Sequence, residues 1–263
     1  MVSSVSSDLA ENLSDAILNN NDPATVETGG AAYLILIDSL LQGDPDNQSL
    51  LRTAANLYSA YTGVFVKDNE RARRLTRKAL GYGLRAVCAR KPEACSLQEI
   101  KFQAFTETIS KMDKDDVPVL YALGTAWAGW IQAERDDFNA VAQLSRVETI
   151  MQHIVKLDET YQEGGAHVYL GILATWLPPA LGGQPETGRK HFERAVEISG
   201  NRNLMAKVMY ARYYARLLFD QDLHDRLLHE VLEADPDVPG YTLINILAQK
   251  DAGQLLESGK DYF

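Results

Sequence analysis

The chain has 263 residues, 46% of them apolar and 24% charged, which excludes a disordered or fibrous protein and is long enough for a substantial core. Its formal net charge of −10 at pH 7 would repel phosphate backbones and anionic lipids, so nucleic acid is not expected as a partner. Two cysteines, Cys88 and Cys95, cannot supply a disulfide framework or a four-thiolate zinc site.

The first seven residues are rich in serine and have neither the basic region nor the apolar core of a secretory signal. We expect a disordered stub over residues 1–7. It is either a cytoplasmic N terminus or what remains after an export signal has been removed, and the sequence does not choose between them.

Apolar residues recur at helical spacing in one segment after another, while strand-like alternation is nearly absent, so the sequence predicts an all-α protein. The predicted helices, in chain order, begin with one around residues 9–17 and continue over 31–41, 50–64, 69–84, 117–132, 138–157, 167–176, 186–198, 204–219, 223–234 and 241–256.

Consecutive predicted helices form hairpins with small residues at the expected crossing points, as in Leu123-Gly124 and Leu170-Gly171. This pattern is typical of a cryptic tetratricopeptide-like α-solenoid. We expect a single repeat domain over residues 1–263, with about four hairpin repeats between residues 48 and 236 and a capping helix over 241–256.

Two long runs of uncharged residues, 117–133 and 164–185, are candidates for membrane spans. The first is short and contains Pro118, and the second is broken by Pro178-Pro179, so no transmembrane segment is predicted.

The sequence contains none of the patterns that enzymes of common classes require. No glycine pair has the lysine or strand context of a phosphate loop, and no Ser or Cys lies in a nucleophile elbow. The five histidines, His153, His167, His191, His224 and His229, lack metal-ligand spacing and are expected to be ordinary surface or capping residues. We therefore expect no catalysis, no cofactor and no bound metal.

Cys88 and Cys95 flank a short connection between helices. In an oxidising compartment a disulfide between them is sterically plausible, whereas in a cytosol they would be two free thiols.

One stretch between two predicted helices combines a tryptophan, a double proline and a double glycine, which a solenoid turn rarely needs. It is either a rigid connection packed against the next repeat or an apolar loop that lines a binding surface or pore. Trp127 and Trp130 are further candidates, although their helical spacing is also typical of core. The candidate partner-, ligand- or pore-contacting residues are Tyr169, Trp176, Leu177, Pro178, Pro179, Leu181, Gly182, Gly183, Trp127 and Trp130.

The segments 165–171, 177–183 and 191–195 occur in an order and spacing that match a known family, and supporting segments lie at 20–26, 32–40, 55–65, 245–249 and 261–263. In these segments, which span nearly the whole chain, the sequence resembles the TatT family. Its members are the tetratricopeptide-like T components associated with tripartite ATP-independent periplasmic (TRAP) transporters.

The resemblance implies an exported, commonly lipid-anchored periplasmic protein that forms a homotrimer around a central channel and associates with the transporter's substrate-binding protein. The implied role is to help deliver a small apolar or organic-acid ligand to the permease. No export signal or lipobox cysteine precedes Ser3, so membrane attachment is expected only through an anchor that is absent from this chain. Removal of a signal from an exported protein would also favour the Cys88–Cys95 disulfide.

The alternative is a cytoplasmic tetratricopeptide scaffold that holds peptide tails of other proteins. It predicts reduced cysteines and a basic clamp on the concave face, which the acidic composition does not favour.

Overall fold

The computed structural model describes the backbone of residues 2–263 and the side chains of residues 9–10 and 12–263. Throughout residues 2–263 every regular element is helical, which confirms the all-α prediction. The α-helices are α1 (Val2–Leu18), α2 (Pro23–Gly43), α3 (Gln48–Phe65), α4 (Asn69–Arg90), α5 (Phe102–Ser110), α6 (Val117–Ala133), α7 (Phe138–Val141), α8 (Leu144–Asp158), α9 (Gly165–Thr175), α10 (Pro185–Ser199), α11 (Met205–Tyr210), α12 (Gln221–Glu233) and α13 (Thr242–Gly259).

Three differences from the predicted helices stand out. Helix α5 was not predicted, although Phe105 and Ile109 mark its buried side at helical spacing. The predicted helix over 138–157 is interrupted at residues 142–143, where Gln143 accepts a hydrogen bond from the indole of Trp127. The predicted helix over 204–219 begins as α11 and continues as a π-helix, Ala211–Ala215.

Helix α1 begins at Val2, where the sequence predicted a disordered stub over residues 1–7, and Met1 lies outside the described residues. A helix that has already formed from Leu9 onward gains one hydrogen bond for each residue added, which extends it through a serine-rich segment.

The helices group into two compact units. The first unit comprises residues 1–15 and 24–158, and the second comprises residues 16–23 and 159–263. The arrangement of the helical hairpins as a tetratricopeptide-like solenoid in a single domain stays a prediction.

In the first unit, helices α3 and α4 form a hairpin, α4 packs against α6, and α6 packs against α8. Helix α2 is held to the α3–α4 hairpin by the carboxylate of Asp38, which accepts hydrogen bonds from the hydroxyls of Tyr58 (2.8 Å) and Tyr82 (2.6 Å) and pairs with Lys78. Burial, followed by the hydrogen bond and charge of Asp38, raises the pKa of Tyr82 to about 12. The polar cluster therefore lies between three helices.

By length and composition alone, α2 could cross a membrane. A core helix or a signal sequence has the same properties, so this feature does not identify a span. The helix has a buried stripe on one side, formed by Val26, Gly30, Leu34, Ile37 and Leu41. It also carries exposed apolar residues, above all Ile35, which is 70% exposed.

The second unit is built from helices that alternate in direction. Gly171 of α9 lies against the ring of Phe192 of α10, where an added Cβ would come within 2.9 Å of the ring, so the two helices cross closely as the Leu-Gly pattern predicted. The hydroxyl of Tyr214 donates to Glu186 at the start of α10, and Lys207 pairs with Glu230 near the end of α12.

This alternation determines which connections lie together. The α9–α10 connection (176–184), the connection that precedes α12 (216–220) and the residues that follow α13 (260–263) lie at one end of the second unit. The α10–α11 connection (200–204) and the α12–α13 connection (234–241) lie at the other.

Candidate functional site

The segment between α9 and α10 is a tightly organised loop. Pro179 begins a single 3₁₀ turn that ends at Leu181, and the N–H groups of Leu181 and Gly183 both donate to the carbonyl oxygen of Pro178, at 2.9 and 3.2 Å. The N–H of Gln184 donates to the carbonyl of Ala174 at 2.8 Å, which closes the loop across the end of the hairpin. A double proline restricts φ, so little conformational freedom remains to be lost when the loop forms.

Both glycines of the loop are required by its geometry. Gly182 has φ +95°, in the left-handed region that side chains with a Cβ rarely adopt. A Cβ on Gly183 would lie 1.7 Å from the carbonyl oxygen of Leu177, so no other residue fits without moving the backbone. The unusual composition of this segment is therefore explained by a single rigid conformation.

This rigid loop presents apolar side chains to solvent. Trp176, Leu177 and Leu181 are exposed, and Leu181 is 68% exposed. Pro178 and Pro179 are also exposed. Exposed apolar groups on a rigid scaffold are typical of surfaces that bind other molecules, because little entropy is lost when such a surface docks.

Tyr169 lies two helical turns before Trp176 on α9 and is half-buried. Burial, together with the neighbouring phenol of Tyr213, raises the pKa of Tyr169 to about 12. This tyrosine is uncharged at neutral pH and belongs to the packing of the second unit behind the loop.

The two tryptophans of α6 belong to the first unit, whereas the loop 176–184 belongs to the second. Trp127 is fully buried: its indole N–H donates to Gln143 (2.9 Å), its ring meets Phe105 edge-on, and the guanidinium of Arg146 lies 5.9 Å from its centroid. It is therefore a core residue, as its helical spacing allowed. Trp130 is half-buried on the same helix. We leave both out of the candidate surface.

Cys88 of α4 and Cys95, just beyond the 3₁₀ turn Pro92–Ala94, are joined by a disulfide. The bond ties the connection that follows α4 back to the last turns of the helix. The loop beyond Cys95 is held by Arg146, whose guanidinium donates to the carbonyls of Leu97 (2.7 Å) and Ile100 (2.6 Å).

A polar network that the sequence did not indicate connects α9 to α10. Arg194 donates two hydrogen bonds to Glu159, whose carboxylate lies 3.3 Å from Nε2 of His167, and Nδ1 of His167 lies 2.8 Å from Nδ1 of His191. Two ring nitrogens at that distance share one proton. If His167 donates from Nε2 to Glu159, its Nδ1 accepts from His191.

Burial, followed by the charge of His167, lowers the pKa of His191 to about 4, and burial also lowers the pKa of His167. The hydrogen bond from Arg194 is the main cause that lowers the pKa of Glu159 to about 2. At neutral pH both imidazoles are therefore uncharged. The prediction that the histidines are ordinary surface or capping residues is wrong for His167 and His224, which are buried. The contact between His167 and His191 could not be predicted from the sequence, because the two residues are 24 positions apart and belong to no spacing motif.

An open cavity with a volume of about 420 Å³ lies between α10, α11 and α12. Its cations are neutralised by carboxylates in the same walls, since Lys207 pairs with Glu230 (2.7 Å) and Arg226 lies 3.6 Å from Glu230. An anionic ligand would find no free positive charge there. Within the described residues, no group of three or more His, Cys, Asp or Glu side chains could hold a metal ion.

A family model described as TRAP transporter T-component (TAtT) matches residues 19–263. No curated protein matches the chain.

Proposed function

Because the chain belongs to the TRAP transporter T-component family, we propose that it is a periplasmic accessory component that oligomerises and binds the substrate-binding protein of its transporter. In this role it helps to deliver a small organic ligand to the permease. We also propose the tetratricopeptide-like α-solenoid in a single domain as its architecture, with its binding surfaces on the hairpin ends and faces.

The observation that carries the proposal is the loop 176–184. Its backbone is fixed by two prolines, two glycines and four backbone hydrogen bonds, yet its large apolar side chains face solvent. A connection that served packing alone would bury Leu177 and Leu181, which are 44% and 68% exposed, and would cover the 37% of Trp176 that remains accessible. A partner protein that covered these side chains would gain apolar burial at low entropic cost.

The disulfide between Cys88 and Cys95 supports an exported location. Such bonds persist in the periplasm and are rare in the reducing cytosol. This feature favours the transporter role over a cytoplasmic scaffold, which would keep both thiols reduced.

The composition of the cavity in the second unit supports a role in positioning the binding protein rather than in holding an anionic ligand. Its basic residues are already paired with carboxylates, so a small organic acid would have to displace an internal ion pair to bind. The ligand is therefore handled by the binding protein, with this component acting through protein contacts.

For the oligomer, we propose a homotrimer whose copies meet through the exposed side of α2. Ala32, Ile35, Leu36 and Ser39 lie on this side at helical spacing, and only Ser39 is polar. An exposed apolar stripe on a helix is typical of an interface between copies.

The mass of the purified protein in solution, measured by light scattering, tests the oligomer. We expect about three times 29.2 kDa for the wild type, a shift towards the monomer for Ile35→Asp, and no shift for Gln103→Asp, an exposed polar position on α5 of the same unit. A wild-type mass of 29.2 kDa at high concentration would contradict the trimer.

Binding to the purified substrate-binding protein of the same transporter tests the role itself. We expect the double variant Trp176→Ala, Leu177→Ala to bind at least about tenfold more weakly, since both side chains are truncated at the contact. The matched control is Leu232→Ala, an exposed leucine at the other end of the same unit. Unchanged helix content by circular dichroism excludes unfolding, and unchanged binding by the double variant would refute the loop as the contact.

A further inference from the structure

The exposed apolar side chains of the second unit are concentrated at one end. Eight large apolar residues between 159 and 263 are exposed: Trp176, Leu177, Leu181, Leu218, Phe219, Leu232, Tyr262 and Phe263. All except Leu232 belong to the three segments 176–184, 216–220 and 260–263, which the alternation of helices places at the same end. In the connections at the opposite end, 200–204 and 234–241, none of the large apolar residues Leu204, Val238 and Tyr241 is exposed. Exposed large apolar side chains are therefore a feature of one end of the second unit and not of its connections in general.

Phe219 has a backbone conformation that its side chain disfavours. Its φ is +55°, in the left-handed region where a helix C-terminus normally has glycine. Its side chain is 69% exposed, so burial does not compensate for this conformation. A bulky residue kept in a position that suits glycine, with its ring in solvent, indicates a role for the ring itself.

The ring of Phe219 is held in a fixed aromatic cluster. It stacks on Tyr262 with centroids 5.4 Å apart, and Tyr262 meets Phe263 edge-on at 5.1 Å. The guanidinium of Arg216 lies 4.9 Å from the centroid of Tyr262 and donates to the hydroxyl of Ser258 (2.5 Å), while Tyr262 donates to the carbonyl of Arg216 (3.1 Å). The cluster is therefore preorganised.

The aromatic cluster and the loop 176–184 are joined by short links. Glu186, two residues beyond the loop, accepts the hydroxyl of Tyr214 at 3.2 Å. The carbonyl of Tyr214 accepts the N–H of Leu218 at 3.1 Å, and Leu218 precedes Phe219. Movement of one part of this end is thereby restrained by the other.

The charges around this end determine which partner fits. Asp220, Asp222 and Asp261 are exposed there. Of the cations, Arg189 and Lys260 are paired with nearby glutamates, and Arg216 is held by Ser258 and the ring of Tyr262. Lys190 is a further exposed cation, so the exposed carboxylates predominate. A second copy of the chain that met this end through its own equivalent end would bring the same acidic rim into contact, and an anionic lipid surface would also be repelled. A different protein with a basic rim complements it.

We propose that this end, formed by the loop 176–184, the 216–220 connection with Phe219, and residues 260–263, is one continuous docking surface for the substrate-binding protein. It receives an apolar patch that is rimmed by Lys and Arg on that protein. This inference rests on the proposed function and adds two segments, and the chemistry of the partner, to the loop.

Binding of the purified substrate-binding protein to Phe219→Gly tests the surface. Glycine removes the ring and suits the left-handed backbone, so the variant should fold. We expect at least about tenfold weaker binding, and an affinity that falls as salt rises because the rim is charged. The matched control is Phe138→Ala, since Phe138 is 90% exposed but lies on α7 in the first unit; its affinity should stay within about twofold of wild type. Tyr262→Ala, which removes the support of the ring, should weaken binding as well.

The possible results distinguish failure of the extended docking surface from failure of the proposed function, which is binding of the substrate-binding protein. In one outcome, the Trp176→Ala, Leu177→Ala variant binds more weakly than the wild type, but Phe219→Gly and Tyr262→Ala bind as tightly as the wild type. This result overturns the extended surface and leaves the proposed function standing. If the wild type does not bind the substrate-binding protein at all, both are overturned. A change in oligomer mass in Phe219→Gly would assign this end to a second copy, and Phe219-dependent binding to phosphatidylcholine vesicles would assign it to a lipid surface; either result also overturns the inference.

Discussion

The carboxylate of Asp38 adds to the buried apolar stripe that holds α2 against the α3–α4 hairpin, and Asp38→Ala tests its contribution. The substitution removes the acceptor for the hydroxyls of Tyr58 and Tyr82 and the partner of Lys78. We take about 1 kcal/mol for each lost hydrogen bond to the carboxylate and about 0.5 kcal/mol for the ion pair, because Lys78 is substantially exposed. The local free energy of opening of α2 should fall by about 2.5 kcal/mol.

Hydrogen–deuterium exchange of the α2 amides measures this free energy directly, because it reports opening of one helix rather than of the whole chain. A loss of about 2.5 kcal/mol corresponds to exchange about 70-fold faster in α2. Exchange in α8, which has no contact with Asp38, should be unchanged.

Asp46→Ala is the matched control, since Asp46 is an exposed aspartate just beyond α2 and should change exchange by less than about twofold. Tyr82→Phe removes one of the two hydroxyls and should give an intermediate effect. If Asp38→Ala exchanges like the wild type, α2 is not held by this cluster and the account of its packing is wrong.

Three further expectations follow from the geometry. The double variant Cys88→Ser, Cys95→Ser should have a free energy of unfolding about 2.5 kcal/mol lower than the wild type in urea unfolding, because the unfolded chain regains the entropy of an open loop. An unchanged free energy of unfolding would refute the structural role of the disulfide. The second unit should lose stability as the pH falls from 6.5 towards 4. In this range His191 binds a proton in the unfolded chain but not in the folded protein, where its pKa is about 4. Unfolding measured at a series of pH values should show a weaker pH dependence for His191→Gln than for the wild type. Gly183→Ala should destabilise the loop and weaken binding, whereas Gly253→Ala, which points into open space on α13, should be neutral or stabilising; equal effects would contradict the steric argument.

The sequence predicted most helices because their buried residues recur at helical spacing over ten or more positions, as in α9 and α10. It missed α5, which has only nine residues, and the interruption before α8, where no proline or glycine marks the break. The π-helix after Tyr210 was also not foreseen, because apolar spacing does not distinguish it from an α-helix over five residues.

The candidate surface was only partly predictable. The loop 176–184 can be identified as a candidate from the sequence because its composition is unusual. The structure explains Gly182 by its positive φ and Gly183 by its close approach to the carbonyl oxygen of Leu177. Phe219 gave no such signal, since neither its φ nor its exposure can be read from the sequence around it. Its proximity to Tyr262 depends on α12 running away from this end and α13 returning to it, and the pairing of His167 with His191 depends on a tight α9–α10 crossing.

The most direct test of the central claim is site-specific photo-crosslinking in the native cell envelope, with a photoreactive phenylalanine analogue at position 219. The same analogue at position 138, an even more exposed phenylalanine in the first unit, is the control. We predict that position 219 forms an adduct which mass spectrometry identifies as the substrate-binding protein, and that position 138 does not. Adducts at position 219 only with other copies of the chain or with cytoplasmic proteins would contradict the claim.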